Sequence, residues 1–351
     1  MSERLKRLHF AHPLDLSGMQ GILDGIVRVP LLGRELATLQ RDIEDEFYLL
    51  NLADNLKLSS RQGASMYGLV ESVSRRFGIP TPNVFIDRTS DVRSYALGGR
   101  NPSLVFTSGL VDSFPEPATR AVIGHELGHV VCEHTFYRLM AENNQAFSRL
   151  ADFVPLLGPA VSFGIVMQLF DWYKKSELSA DRAALLATGD LPAVQDYILR
   201  IAGTSAKLAP EVSLAEFGAQ ADEFLVEVKR RRQQNIGRRL RLLLSSVMLN
   251  RGPGKNPWPA LRFKAISEWA TSRQYAHLLA GKYDEAATCE EAMKDDELLL
   301  ALELPTEEMK TYLQDLSDAA KGAVDRLFKQ VTTPSSWFVD DDVESKDNKK
   351  A

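Results

Sequence analysis

This chain contains little cysteine, and it shows neither a net positive charge nor a signal peptide. These absences restrict the class of protein to which it can belong. Cys132 and Cys289 are the two cysteines in 351 residues. They cannot build a disulfide framework, which favours a reducing compartment. The formal net charge is −5 at pH 7, so no general attraction to nucleic acid is expected. The charged residues 1–10 have no apolar run behind them and show no signal peptide. We therefore expect a cytoplasmic protein that does not bind nucleic acid.

Long apolar runs are also nearly absent. Residues 153–170 form a stretch of 18 residues without a charge, which is close to the minimum length that crosses a bilayer. Pro155 and Pro159 interrupt it, and acidic Asp152 and Asp171 flank it where basic anchors would be expected. We interpret the run as a buried or surface-lying helical hairpin element with at most weak, peripheral membrane association. Membrane insertion is the alternative.

The most informative feature that is present is the pentapeptide His125-Glu126-Leu127-Gly128-His129. Residues four apart lie on one face of a helix, so the two imidazoles can converge on one Zn²⁺. Glu126, beside them, can hold a water on that metal. Gly124 and Gly128 each cost on the order of 1 kcal/mol inside a helix relative to Ala, so we expect another element or the substrate to approach the helix closely there. Two core histidines with no metal would explain neither these glycines nor the neighbouring carboxylate.

A catalytic zinc needs a third protein ligand and an open coordination position. Glu177 and Asp181 share a helix face by the same spacing, and small residues follow them in the sequence. We expect Glu177 to bind the zinc and Asp181 to accept the second ring N–H of a liganding histidine. Cys132 is the competing third ligand and would make the site a closed structural zinc. His134 lies about 140° around the helix from His129 and is a poor ligand candidate.

The sequence pattern predicts a mainly helical α+β protein. Helical periodicity covers residues 17–77, and a glycine followed by a proline ends it. Three short β-like runs at 84–86, 94–97 and 104–107 predict a small, mostly antiparallel sheet. The segment Ser113–Glu116 resembles a helix entrance with a capping pair. The helix that it starts would carry both histidines.

The second half of the chain reads as helical from Tyr173 to about Gln330, with breaks at 203–216 and 251–259. We divide the chain into an N-terminal helical region, a core that contains the histidine motif, a C-terminal helical extension and a disordered acidic tail. These four parts cover residues 1–80, 81–275, 276–333 and 334–351. The basic run Lys229–Arg232 is interpreted as a solvated helix face.

The motif at 125–129, followed by Ser176–Asp181, resembles the M48 family of zinc metallopeptidases, which includes HtpX-like peptidases and CAAX prenyl proteases. Similarity extends upstream through 94–99 and 105–110, and covers roughly residues 60–270. The resemblance implies a zincin-like (gluzincin) domain with a small sheet beside the metal-binding helix. It also implies one Zn²⁺ per chain held by three ligands, with a glutamate as general base. These residues are His125, His129 and Glu177 as ligands, and Glu126 as the base.

The resemblance further implies that the strand at 104–107 is a sheet edge that pairs with an extended peptide. Val105, Phe106 and Thr107 are then the expected substrate-binding residues.

Two departures from the family pattern bear on function. HtpX-like members carry clear transmembrane helices, whereas this chain has one marginal segment, which favours the soluble or peripheral bacterial members. Family members often have a late His-Pro pair followed by an arginine; here Asn256-Pro257 stands in that place and Arg262 follows. Asn256 or Arg262 is therefore the expected oxyanion-stabilising residue, with a structural salt bridge as the equal alternative for Arg262.

The predicted function is zinc-dependent endopeptidase activity on a peptide or unfolded protein. Glu126 would act as general base toward a metal-activated water. The alternative is a catalytically idle, zinc-organised scaffold or chaperone-like peptide binder that retains the ligands.

Overall fold

The computed structural model describes residues 5–27, 30–142, 159–232 and 258–289. Helices dominate these ranges, and one four-stranded sheet lies among them. The fold is therefore mainly helical α+β, as predicted. In chain order the helices are α1 (Arg7–Phe10), α2 (Pro13–Val27), α3 (Pro30–Asp54), α4 (Ala64–Phe77), α5 (Ser108–Ser113), α6 (Glu116–Val131), α7 (Thr135–Glu142), α8 (Pro159–Thr188), α9 (Leu191–Ile201), α10 (Leu214–Arg232), α11 (Pro259–Trp269), α12 (Arg273–Leu279) and α13 (Tyr283–Ala287).

The sheet contains the three predicted strands and one more. Its strands are β1 (Leu56–Lys57), β2 (Asn83–Asp87), β3 (Ser94–Leu97) and β4 (Ser103–Thr107), in the spatial order β1-β2-β4-β3. The outer pairs, β1–β2 and β3–β4, are antiparallel, but β2 and β4 are parallel. The sheet is thus mixed and only mostly antiparallel.

The central position of β4 corrects the expected edge strand. Val105, Phe106 and Thr107 pair with β2 on one side and lie next to β3 on the other, so their strand is not a sheet edge. All five residues of β4 are buried. An unbroken buried run is typical of a strand that is covered on both faces. Within the described residues the edge nearest α6 is β3, which contacts that helix.

The predicted helix over 17–77 is interrupted. After α3, Leu56 and Lys57 pair with β2, and a tight turn follows before α4 begins. The predicted stop is confirmed, because Gly78 ends α4 in the left-handed conformation at φ 65°.

A helix begins at the predicted position near residues 113–116, but the predicted capping pair does not form. Ser113 is the last residue of α5, and its hydroxyl donates to the carbonyl of Gly109. Helix α6 begins at Glu116 after Pro115, without a side-chain cap.

Helices α6 and α8 form the largest contact between any two elements, and they carry the candidate site. A methyl group built on Gly128 would lie 2.6 Å from Ala183 Cβ, and one built on Gly124 would overlap Ala187 Cβ. Such separations are far below van der Waals contact. The two glycines therefore allow the close helix approach that their presence in the motif predicted.

The apolar run at 153–170 is partly described. Residues 153–158 lie outside the described ranges, whereas 159–170 form the start of α8, the 30-residue helix that continues through Glu177. No helix within the described ranges has both the length and the apolar character needed to cross a bilayer.

Candidate metal centre

Three predicted ligands converge between α6 and α8. The Nε2 atoms of His125 and His129 are 3.1 Å apart. Glu177 Oε2 lies 3.6 Å from His125 Nε2, and Glu177 Oε1 lies 3.5 Å from His129 Nε2. All three side chains are at most 1% exposed. One ligand atom from each residue can therefore reach a common point, which is the arrangement that a single metal ion requires.

The unsatisfied state of Glu177 supports a metal at this point. Arg138 Nη2 and Arg262 Nη1 lie 3.2 Å and 2.8 Å from its carboxylate oxygens. Neither oxygen, however, receives a hydrogen bond of good geometry from the described residues. Buried carboxylate oxygens without donors are rare in folded proteins. Two imidazoles and one carboxylate form a donor set that zinc takes in catalytic sites, so the residues fit the ion.

The electrostatic environment holds Glu177 and His129 in the protonation states that bind metal. Burial opposes ionisation of Glu177, but Arg138 and Arg262 outweigh it and lower the pKa of this carboxyl well below its usual value. Burial, with Arg138, lowers the pKa of His129 well below its usual value. A carboxylate and a neutral imidazole are the forms that bind metal.

Glu126 is buried beside these ligands and has one anchored oxygen. Its Oε1 accepts a hydrogen bond from Ser94 Oγ of strand β3 at 2.7 Å. Its Oε2 is buried and has no hydrogen-bond partner among the described residues. Burial raises the pKa of Glu126 above the usual glutamate value. A carboxylate with one fixed oxygen, one free oxygen and a raised pKa can take a proton from a neighbouring water.

Asp181 and Arg262 lie behind His125. The Nδ1 atom of His125 is 2.9 Å from Asp181 Oδ1. Arg262 donates to both oxygens of Asp181, from Nη2 at 2.7 Å and from Nε at 2.8 Å. Burial opposes ionisation of Asp181, but this ion pair outweighs it and lowers its pKa. An ionised Asp181 accepts the Nδ1–H of His125 and leaves the Nε2 lone pair free for a metal.

Arg262 also connects the site to α9. Its Nη2 donates to the hydroxyl of Tyr197 at 3.0 Å, and its Nη1 lies 2.8 Å from Glu177. The side chain is 2% exposed. The guanidinium therefore bridges the two acidic residues that sequence reasoning assigned to the site.

Other predicted candidates lie elsewhere. Asn256 is outside the described residues. Cys132 lies at the end of α6, where its thiol groups with Asp15 and His134 and not with the converging imidazoles. Burial raises the pKa of this thiol well above its usual value, which disfavours the thiolate that zinc binds.

Sequence reasoning gave no role to Ser94 or Arg138. Ser94 was part of a predicted strand, and its contact with Glu126 depends on β3 being the sheet edge beside α6. Arg138 is on α7, thirty-nine residues before Glu177, and no spacing rule connects the two. A buried carboxylate in a metal set is the one signal that would have prompted a search for cations.

Comparison with known proteins agrees with this geometry. The model of peptidase family M48 matches residues 60–196. The plastoglobule-localized metallopeptidase 48 of Arabidopsis thaliana is 26% identical over 272 residues, which cover 77% of this chain and 74% of that protein. A protease HtpX homolog of Trichormus variabilis is 24% identical over 57% of this chain and 65% of its own length.

A further match is shorter. The protease HtpX of Haemophilus ducreyi is 37% identical over 67 residues, which are 18% of this chain and 23% of that protein. No solved structure matches significantly. All converging ligands lie within the segment matched by the family model. The resemblance to peptidase family M48 that the motifs indicated is therefore confirmed over residues 60–196.

Proposed function

We propose that this protein is a zinc-dependent endopeptidase that hydrolyses bonds in peptides or unfolded proteins. One observation carries the proposal: the ligand atoms of His125, His129 and Glu177 converge beside the unpartnered Oε2 of Glu126. The match of residues 60–196 to a metallopeptidase family, and the protease names of its relatives, support the same chemistry.

The contacts of each residue in the site support a distinct role for it in catalysis. Bound Zn²⁺ would supply a Lewis acid that polarises the scissile carbonyl and makes a water molecule acidic. His125, His129 and Glu177 would hold the ion. Glu126 takes the proton of the attacking water at Oε2, while Ser94 fixes Oε1, and then delivers that proton to the leaving amine.

Strand β3 is the proposed site of substrate binding, in place of β4. Within the described residues it is an edge of the sheet, and extended peptides commonly bind by adding a strand to such an edge. Ser94 belongs to this strand and contacts Glu126. A peptide paired with β3 would therefore run beside the proposed general base.

A second function is favoured by one observation, the near-complete burial of the site. His125, Glu126, His129 and Glu177 are at most 2% exposed. A covered site fits a zinc-organised scaffold or chaperone-like peptide binder that does not cleave. The two functions differ in whether peptide bonds are broken.

Cleavage of an unfolded protein, with and without a zinc chelator, tests the proposal. We expect chelator-sensitive cleavage by the zinc-loaded protein, restored when zinc is added back. Glu126→Gln preserves size and hydrogen bonding but removes the basic oxygen, so it should keep its zinc and lose about 10²–10⁴-fold in rate. Undiminished cleavage by this variant would contradict the mechanism. A zinc-loaded protein that binds unfolded chains without cleaving them would establish the second function.

A further inference from the structure

The second ring nitrogen of His129 contacts another histidine. His129 Nδ1 lies 3.0 Å from His134 Nδ1, and His134 Nε2 lies 3.0 Å from Asp15 Oδ2. All three side chains are completely buried. Asp15 belongs to α2, outside the segment that matches family M48. A continuous chain of contacts thus runs from a candidate metal ligand to the N-terminal part of the protein.

Among the described residues, two more side chains donate hydrogen bonds to the Asp15 carboxylate. Ser179 Oγ donates to Oδ2 at 2.7 Å, and Trp172 Nε1 donates to Oδ1 at 2.8 Å. The serine proton is directed to Asp15, because Ser179 Oγ itself accepts from the backbone N–H of His12. Burial opposes ionisation of Asp15, but His134 and Ser179 outweigh it and lower its pKa. Asp15 is therefore a carboxylate that accepts hydrogen bonds at both oxygens.

This arrangement constrains where the protons lie on both imidazoles. Asp15 accepts the proton on His134 Nε2, and of the two Nδ1 atoms that face each other at 3.0 Å one must donate and the other accept. A His129 that binds a metal through Nε2 carries its own proton on Nδ1, so this N–H donates to His134 Nδ1. The Nε2 lone pair of His129 is then directed toward His125 and Glu177.

We propose that Asp15 and His134 are positioning residues, which hold His129 in the ring orientation and tautomer that bind a metal through Nε2. The inference rests on the proposed function, because it assumes a metal at the three-ligand site. Asp181 makes the matching contact with the other histidine, His125. Asp15, His134 and Cys132 also lie close enough to hold a metal themselves. The hydrogen bonds of the first two already engage the atoms that such an ion would need.

Zinc affinity of the full-length metal-free protein, measured by competition with a chromophoric chelator, tests the proposal. In Asp15→Asn the single amide NH₂ must face a donor, either Trp172 on one side or His134 and Ser179 on the other. If the NH₂ faces His134, every hydrogen bond in the relay, which we define as Asp15, His134 and His129, reverses its direction. If it faces Trp172, two donors meet and the new side chain is pushed out of place. Loss of such an outer partner typically weakens metal binding about 10–100-fold, and we expect a loss of that size.

Trp172→Phe supplies the control and the rescue. Alone it removes one donor to Asp15 but keeps an aromatic ring beside His134, whose ring centroid lies 5.3 Å from that of Trp172, so zinc affinity should remain within about twofold of wild type. In the double variant Asp15→Asn/Trp172→Phe, the amide NH₂ can face the phenyl ring and the amide oxygen can accept from His134. We expect the double variant to recover most of the lost affinity, although it carries one more core substitution.

A residue with only a structural role gives a different pattern. The double variant would then bind zinc no better than Asp15→Asn and would unfold at a lower temperature, which would overturn the relay. Wild-type affinity in Asp15→Asn would overturn it as well. Both results leave the proposed function intact. A wild-type protein that takes up no zinc would overturn the relay and the proposed function together.

Discussion

Gly128 of α6 lies against Ala183 of α8 with no room for a methyl group between them. A Cβ at position 128 would meet Ala183 Cβ at 2.6 Å and Ala180 Cα at 3.1 Å. Gly128→Ala should therefore force the helices apart, and overpacking of this kind typically costs about 1–3 kcal/mol of unfolding free energy. Chemical denaturation measures the change.

Gly68 offers the matched control, because a methyl group added there on α4 meets nothing within 4 Å. Gly68→Ala should leave stability unchanged or raise it by up to about 1 kcal/mol. Equal effects of the two substitutions would show that helix propensity, and not the close helix approach, explains Gly128.

The second prediction concerns Glu177 as the third metal ligand. Glu177→Ala should lower zinc occupancy strongly, as should His125→Ala or His129→Ala, because each removes one of three converging donors. Cys132→Ala should keep full occupancy. Elemental analysis of the purified variants measures both. Retention of zinc by Glu177→Ala together with its loss from Cys132→Ala would make Cys132 the ligand.

The third prediction concerns the buried ion pair of Arg262. Arg262→Met leaves Asp181 buried without its cation, and removal of one partner of a buried pair typically costs about 3–5 kcal/mol. Arg75→Met is the control, because Arg75 and Glu71 are exposed and 3.6 Å apart. It should produce no measurable change in urea unfolding. A small effect of Arg262→Met would indicate that water or another cation reaches Asp181.

The fourth prediction is a pH dependence of stability that arises at His12. Burial, with Arg182, lowers the pKa of His12 well below its usual 6.5. The unfolded chain therefore takes up a proton near pH 6.5 that the folded chain refuses. Stability from neutral His12 is complete above that pH and declines below it, by about 1.4 kcal/mol per pH unit.

His12→Asn isolates this effect. Asparagine does not titrate, and its oxygen can replace His12 Nδ1 as acceptor for the backbone N–H of Leu14. Unfolding free energies are measured between pH 4.5 and 7.5. As the pH falls, the free energy of the variant should decrease less steeply, by the slope that the uptake of about one proton on unfolding produces. Parallel curves for the two proteins would contradict the assignment.

The fifth prediction tests β3 as the substrate-pairing edge. The N–H of Thr107 donates to the carbonyl of Arg93, so the alternating antiparallel pattern turns the N–H and C=O groups of Ser94 and Ala96 toward the open side. A bound peptide should be sensitive to N-methylation at alternate backbone nitrogens only. Two versions of one inhibitor peptide, N-methylated at neighbouring backbone nitrogens, should therefore differ in affinity. The Glu126→Gln variant, which should bind without cleaving, serves for the measurement. Equal affinities would exclude strand pairing.

The ligand set could be predicted because its parts are local. The spacing of His125 and His129 has meaning on one helix, and Glu177 and Asp181 repeat that spacing on another. The glycines in the motif predicted the close approach of α6 and α8, which the structure confirms. Strand positions were equally local, because each is a short run of β-forming residues between turns.

The order of strands and the contacts around the ligands could not be predicted in the same way. The placement of β4 between β2 and β3 is a choice of topology that alternation within one strand does not encode, and the family resemblance had implied an edge strand instead. His134 was set aside as a ligand by an angular argument that assumed a continuous helix, whereas α6 ends at Val131 and Glu133 has a φ of 61°. That argument does not show that its ring reaches the far nitrogen of His129, because the contact depends on Asp15 arriving from a distant helix.

The distant origins of Asp15 and Arg262 bear on how the protein can be dissected. Both lie outside the segment that is recognisable as M48, one on each side of it, and each stands behind one of the two imidazoles. A fragment trimmed to the recognisable borders would keep the three ligands and lose the outermost support of both histidines. Such a fragment should express as an aggregation-prone, poorly metallated polypeptide. We therefore expect the smallest stable fragment to begin before Asp15 and to end after Arg262.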